Sequence, residues 1–249
     1  KGSDYKVKDL LDNPLLASKQ LKTVMIPTTC GTGSEATCNA IVAIPEEQSK
    51  KGIVNAEMIP DYVILDAQMI AGLPASIVAA TGVDALAHVV ECYTSKKATP
   101  LSDTYAAAGA KLIFRNIEQA YKNPSDMEAK NNLLLGAFYG GVAITGSGTT
   151  AVHALSYPLG GKYHIPHGVS NAILFAHVMA FNKDACAERL AQLCDAVYPE
   201  QSAGSGEEKA DYMIERIAAI VKNTDIPTNL EAFGVKMEDL DFLVDAGSR

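Results

Sequence analysis

Positive charge is in short supply in this chain. Its 249 residues hold 21 lysines and arginines against 29 aspartates and glutamates, a formal net charge of -8. That argues against a nucleic-acid partner, because phosphate binding needs a basic surface. No uninterrupted apolar run approaches the ~20 residues of a membrane span. The longest candidate, LLLGAFYGGVAITG, is short and glycine-rich, so no membrane association is expected. The first residues, KGSDYKVKDLLDN, are charged and hold no signal-peptide core. The cysteines (Cys30, Cys38, Cys92, Cys186 and Cys194) are odd in number and form no CxxC pair. A disulfide framework is therefore not expected, and a reduced, cytoplasmic protein is. Cys92 reads as a small buried apolar residue. Internal repeats and low-complexity segments are also missing.

Hydrophobic residues make up 48% and charged residues 20% of the chain, the balance of an ordinary globular protein with a core that needs no staples. Up to about Leu73 the texture is that of short strands and loops: LKTVMIPTT, broken by Pro27, then ATCNAIVAI, KKGIVN and DYVILDA. Beyond Leu73 helical spacing takes over. TYAAAGAKLIFRNIEQAY places Ala108, Leu112, Ile113, Ile117 and Ala120 on one side, and Asn123-Pro124 stops it. MEAKNNLLLGAFYGGVAI, SNAILFAHVMAFN, DACAERLAQLCDAVY and EEKADYMIERIAAIVK read as further helices, and QSAGSGEE as a loop. The expected division is a strand-bearing part over residues 1–73 and an all-helical domain over 74–249.

Two segments carry metal-binding residue types. In GVDALAHVVE, Asp84 and His88 are four apart, which on a helix puts them on one face. A buried carboxylate without a cationic partner is expensive; a metal ion is one solution and an Asp–His hydrogen bond the other. In AVHALSYPLGGKYHIPHG, His153 and His167 are separated by Pro158, Gly160-Gly161 and Pro166, which suggest a turn that lets them converge. One carboxylate and three imidazoles suit Fe(II) or Zn(II) better than Mg(II) or Ca(II). No cysteine has the spacing of a structural zinc site. His164 reads as a pocket or supporting residue, and His177, in an apolar run, as a hydrogen-bonded core histidine. A second dense signal is IPTTCGTGSEAT, whose glycines and hydroxyls suit close approach to a ligand, although it is neither a P-loop nor GxGxxG.

Taken together, IPTTCGTGSE, KKGIVN, YVILDAQMIAGLP, TGVDALAHVVECYTS and VHALSYPLGGKYHIPHGVSNAILFAHVM, in that order from Ile26 to Arg249, resemble the iron-containing (group III) alcohol dehydrogenase family. The ALSYPLGG form resembles its 4-hydroxybutyrate dehydrogenase-like branch. The resemblance implies a dehydroquinate synthase-like architecture: mainly α with a small α/β part, the remnant of a nucleotide-binding domain over 1–73 followed by an all-helical metal domain. It implies Asp84, His88, His153 and His167 as ligands of Fe(II), with Zn(II) possible. It implies Thr28, Thr29, Thr32, Lys50 and Leu65 as contacts of NAD or NADP. The expected reaction is hydride transfer between a primary alcohol or aldehyde and the nicotinamide, with the metal polarising the substrate oxygen; a homo-oligomer is expected. Two departures stand out. Nothing before Leu21 resembles the family's glycine-rich GGGS motif, so the chain reads as a fragment lacking most of the nucleotide-binding half. Tyr157 stands where many relatives carry a histidine; it is a candidate catalytic residue but, with an ordinary pKa of about 10, a poorer base. The alternatives are a dehydroquinate synthase-like lyase and a metal-binding fragment without cofactor activity.

Overall fold

The computed structural model describes residues 4–47 and 49–247. Residues 1–3, 48 and 248–249 lie outside the described residues, and with them the outer ends of both expected domain ranges and Arg249 of the resemblance. A short helix, α1 (Val7–Asp12), precedes four strands: β1 (Val24–Met25), β2 (Asn39–Ile44), β3 (Ser49–Val54) and β4 (Tyr62–Val63). Each falls in a run with strand character, and α1 lies in a segment read only as charged. β1 and β4 pair in parallel, Val24 opposite Tyr62. β2 and β3 form an antiparallel hairpin from Asn39 opposite Val54 to Ile44 opposite Ser49. β4 is short because Asp66 accepts from the Gln68 N–H and starts a 3-10 turn, Ala67–Ile70.

From Pro74 onward the chain is helical: α2 (Ala75–Thr94), α3 (Pro100–Lys122), α4 (Met127–Ser147), α5 (Ala151–Tyr163), α6 (His167–Val197), α7 (Gly206–Asn223) and α8 (Leu240–Gly247). The starts are chemically marked. Thr99 and Ser102 form a capping box before α3 with Pro100 at its first position, Asp126 accepts from Ala129 before α4, and Ser205 and Glu208 box the start of α7. The mainly helical fold with a small strand-bearing part is the expected one.

Three local expectations fail. Pro158 and Gly160-Gly161 do not turn the chain; they lie inside α5. The turn comes only at His164, which adopts the left-handed conformation (φ 55°), and α6 begins three residues later. Pro158 costs α5 one backbone bond, but Pro158 and Leu159 are buried, and packing of that face outweighs it. The two helices read around Phe181 are one 31-residue helix, α6, since nothing between Phe181 and Cys186 is a glycine or proline. Finally, the end of QSAGSGEE forms the first turn of α7.

α2 is the central helix. By length and mean hydropathy it would pass for a membrane span, but 78% of its apolar window is buried within the protein. Val83, Leu86 and Val90 on α2 pack into one core with Ile113 and Ile117 of α3, Leu133 and Leu134 of α4 and Phe175 of α6. Each such fully buried aliphatic side chain contributes about 1.5–3 kcal/mol. Cys92 is buried in this core, as expected, and burial pushes its thiol up to about 12. Lys130, fully buried, donates to the Ala71 carbonyl (2.5 Å) and ties α4 to the segment ahead of α2.

The loop of residues 28–37 is clamped on α4 by contact between two glycines. Gly33 is in the left-handed region (φ 57°), and a Cβ on Gly141 would lie 2.2 Å from the Gly33 carbonyl oxygen. Thr145 Oγ1 adds a hydrogen bond to the Ala36 carbonyl (3.2 Å). Gly141→Ala therefore drives a methyl into backbone. The expected outcome is a loss of about 1–3 kcal/mol, read by urea unfolding; an unchanged midpoint would contradict this contact.

Candidate functional site

α2 carries three ionisable residues on one stripe: Asp84, His88 and Glu91, all buried in its apolar surroundings. His153 stands near the start of α5 and His167 opens α6. The ligand atoms of Asp84, His88 and His153 lie within 4.8 Å of one another. Asp84 Oδ1 is 4.0 Å from His88 Nε2, 3.7 Å from His153 Nε2 and 3.5 Å from His167 Nε2. His167 thus approaches Asp84 without belonging to the tight three-residue cluster. It is also the more open ring: its side chain is 33% exposed, against 4% for that of His153. α6 can present it here because Gly168 lets the backbones meet; a Cβ there would lie 2.1 Å from the Ala80 carbonyl oxygen.

The Asp84–His88 separation is too long for the hydrogen bond that was the alternative to a metal. Asp84's direct donor is Asn171 Nδ2, at 2.7 Å. The same nitrogen is 3.1 Å from His153 Nε2 and 3.3 Å from His167 Nε2. A donor centred between a buried carboxylate and two ring nitrogens marks where a cation would be attracted. Two buried atoms beside it, His88 Nδ1 and Asn171 Oδ1, have no hydrogen-bond partner among the described residues. The nitrogen–oxygen donor set fits a transition-metal ion.

Behind the cluster, Glu91 holds His153. One carboxylate oxygen bonds His153 Nδ1. The other accepts from Thr150 N (3.0 Å), Thr150 Oγ1 (2.7 Å) and Val152 N (2.9 Å). Burial pushes His88 down to about 4 in spite of the Asp84 carboxylate, so its ring is neutral. Burial acts on His153 in the same sense, but Glu91 and Asp84 outweigh it and raise it to about 9. Burial would raise the Asp84 carboxyl; the three imidazoles instead hold it well below the usual carboxylate range.

The cluster forms one wall of a cavity of about 690 Å³. Asp84, His88, His153, Tyr157, His167, Thr32 and Lys50 all line it, joined by Ser34, Thr37, Asn39, Ile144 and Thr149. Tyr157 stacks on His167 (centroids 6.2 Å apart), and burial, then the Glu91 and Asp84 charges, push its hydroxyl up. The Lys50 ammonium rests against Gly160, where a Cβ would come within 3.1 Å of it. Thr28, Thr29 and Leu65 are not in the cavity wall. Thr28 is exposed, Thr29 half-buried, and Leu65 packs against the helical core. His164 is exposed, and so is His177, contrary to its reading as a core residue; α6 turns that stripe, with Phe181, to solvent. Glu91 and Asn171 escaped the sequence reading. The available signal was spacing: Glu91 three after His88, and Asn171 four after His167.

Comparison with known proteins gives matches along nearly the whole chain. Residues 78–249 match the model of the Fe-containing alcohol dehydrogenase family, C-terminal, and residues 2–67 that of iron-containing alcohol dehydrogenase. The long-chain-alcohol dehydrogenase 1 of Geobacillus thermodenitrificans is 36% identical over 97% of this chain and 61% of its own length. Alcohol dehydrogenase 4 of Schizosaccharomyces pombe is 38% identical over 98% of this chain and 56% of its own. Among solved structures, a 1,3-propanediol oxidoreductase superposes with a TM-score of 0.88 at 33% identity, covering 93% of this chain and 60% of that one. The chain thus spans less than two thirds of the length of these relatives.

Because Asn171 is buried and is Asp84's direct donor, Asn171→Ala is expected to lower the stability of the metal-free protein by about 1–3 kcal/mol. Thermal melts with and without Zn(II) check this: the ion should restore much of the loss.

Proposed function

The chain belongs to the iron-containing alcohol dehydrogenase family, and on that premise we propose that it is the metal-holding part of an oxidoreductase that moves hydride between a primary alcohol or aldehyde and NAD or NADP. The observation that carries the reading is the buried cluster of Asp84, His88 and His153, with His167 beside it, opening on a 690 Å³ cavity. These four residues would hold Fe(II), or Zn(II) in its place. When bound, the ion supplies Lewis-acid polarisation of the substrate oxygen and the nicotinamide accepts or gives the hydride.

The chain's own residues do the rest. Neutral His88 offers a lone pair with no proton to displace. The buried wall keeps bulk water from Asp84 and His153, which strengthens every charge interaction there. Tyr157, over His167 and facing the cavity, is placed to donate its hydroxyl hydrogen to a substrate oxygen; with its pKa raised it serves as a donor and not as a base. Thr32 and the Lys50 ammonium line the same cavity and are assigned to the cofactor. Thr28, Thr29 and Leu65, in the segments that follow β1 and β4, are assigned to it on the family resemblance alone.

The strand-bearing residues 1–73 and the helical residues 74–249 are proposed as the two domains, one for the nucleotide and one for the metal. A homo-oligomer is proposed with it, and the five free thiols fit a cytoplasmic setting. Relatives named as alcohol and propanediol dehydrogenases do not favour the lyase alternative.

His153→Ala or Asp84→Ala is expected to abolish bound metal and turnover together, read by elemental analysis and by NADH formation on a panel of short alcohols including 4-hydroxybutyrate. Full activity in a metal-depleted variant would refute the assignment. Tyr157→Phe is expected to lower kcat/KM by ~10-fold, the worth of about one hydrogen bond, without changing metal content.

A further inference from the structure

We propose that Glu91 is a positioning residue that fixes His153 as a metal ligand and makes the start of α5 part of the same unit; the proposal rests on the metal reading of the cluster. Glu91 is fully buried, and neither of its oxygens is idle. Oε2 meets His153 Nδ1. With Nδ1 donating to the carboxylate, Nε2, the nitrogen that faces Asp84 Oδ1 at 3.7 Å, is the one that offers a lone pair once its own proton has left. The carboxylate therefore selects the tautomer that a metal needs and sets the plane of the ring.

Oε1 takes up the helix end. Thr150, the residue before α5, makes no side-chain cap to its own helix. Instead its N–H, its hydroxyl and the Val152 N–H all converge on Glu91. A carboxylate at a helix N-terminus satisfies orphan donors and faces the positive end of the helix dipole. Because His153 is the third residue of α5, the same side chain places both the helix and the ring it carries.

The support is one-sided. His88, the other fully enclosed imidazole, has no hydrogen-bond partner at Nδ1 among the described residues. Its orientation depends on packing, including the stacked contact with His153 (centroids 4.6 Å apart), and on the Asp84 carboxylate 4.0 Å from Nε2. Holding His153 thus also steadies His88. Glu91 brings charge balance as well: with Asp84 it places two buried negative charges against one divalent ion, where Asp84 alone would leave the ion half-compensated.

The test is Zn(II) titration with a competing chromophoric chelator on wild type, Glu91→Gln, Thr150→Val and His153→Ala. Wild type should bind one ion and His153→Ala none. Glu91→Gln should bind 10–100-fold more weakly. Thr150→Val, which removes one helix-end bond but leaves the carboxylate on His153, should lower thermal stability and keep affinity within about threefold of wild type. Nitrogen-15 NMR of the Zn(II)-loaded wild type, which needs no variant to fold, should show His153 protonated at Nδ1. Wild-type affinity in Glu91→Gln, an equal loss in Thr150→Val, or a proton on His153 Nε2 each overturns the role of Glu91 while leaving the metal site standing. Absence of Zn(II) binding by wild type removes the metal reading and this inference with it.

Discussion

Two carboxylates, Asp84 and Glu91, sit inside a helix bundle whose walls are valine, leucine and alanine, and each must be compensated there or the bundle would not close. Their compensation organises the protein. Asp84 draws His88 from its own helix, His153 from α5, and His167 and Asn171 from α6. Glu91 draws the first turn of α5. Three helices distant in sequence meet at one point, with the apolar core packed around them.

The strand-bearing part is fastened to that bundle by backbone contact. Gly33 against Gly141 holds the loop of residues 28–37 on α4, and the Lys130 side chain on the Ala71 carbonyl ties α4 to the segment ahead of α2. Thr32 and Ser34 consequently face the same cavity as the imidazoles. A ligand that touched both would meet the loop hydroxyls and the imidazoles at once, the alignment that the proposed hydride transfer needs.

Much of this was legible in the residues. The i, i+4 spacing of Asp84 and His88 declares a shared helical face, and the helical spacing of TYAAAGAKLIFRNIEQAY and its stop at Asn123-Pro124 mark α3. The strand runs fall where valine and isoleucine cluster. What escaped depends on tertiary contact. Pro158 and Gly160-Gly161 look like a turn, yet burial of Pro158 and Leu159 keeps the stretch helical. His177 looks internal within an apolar run, yet the rotation of α6 turns it outward. Glu91 was in plain view beside His88, but its partners are 59 to 62 residues further along the chain, and no periodicity announces them. Thr28, Thr29 and Leu65 were named through the resemblance, and the cavity wall does not include them.

The order in which the cluster's parts occur along the chain bears on assembly. Asp84 and His88 come into being together, as soon as α2 forms a single turn between them, whereas His153 follows only 65 residues after His88 (153 − 88). During N-to-C synthesis the α2 segment is therefore made well before the two helices that supply the remaining imidazoles. The cluster is therefore closed only once α5 and α6 have been made, because two of its three imidazoles arrive with them.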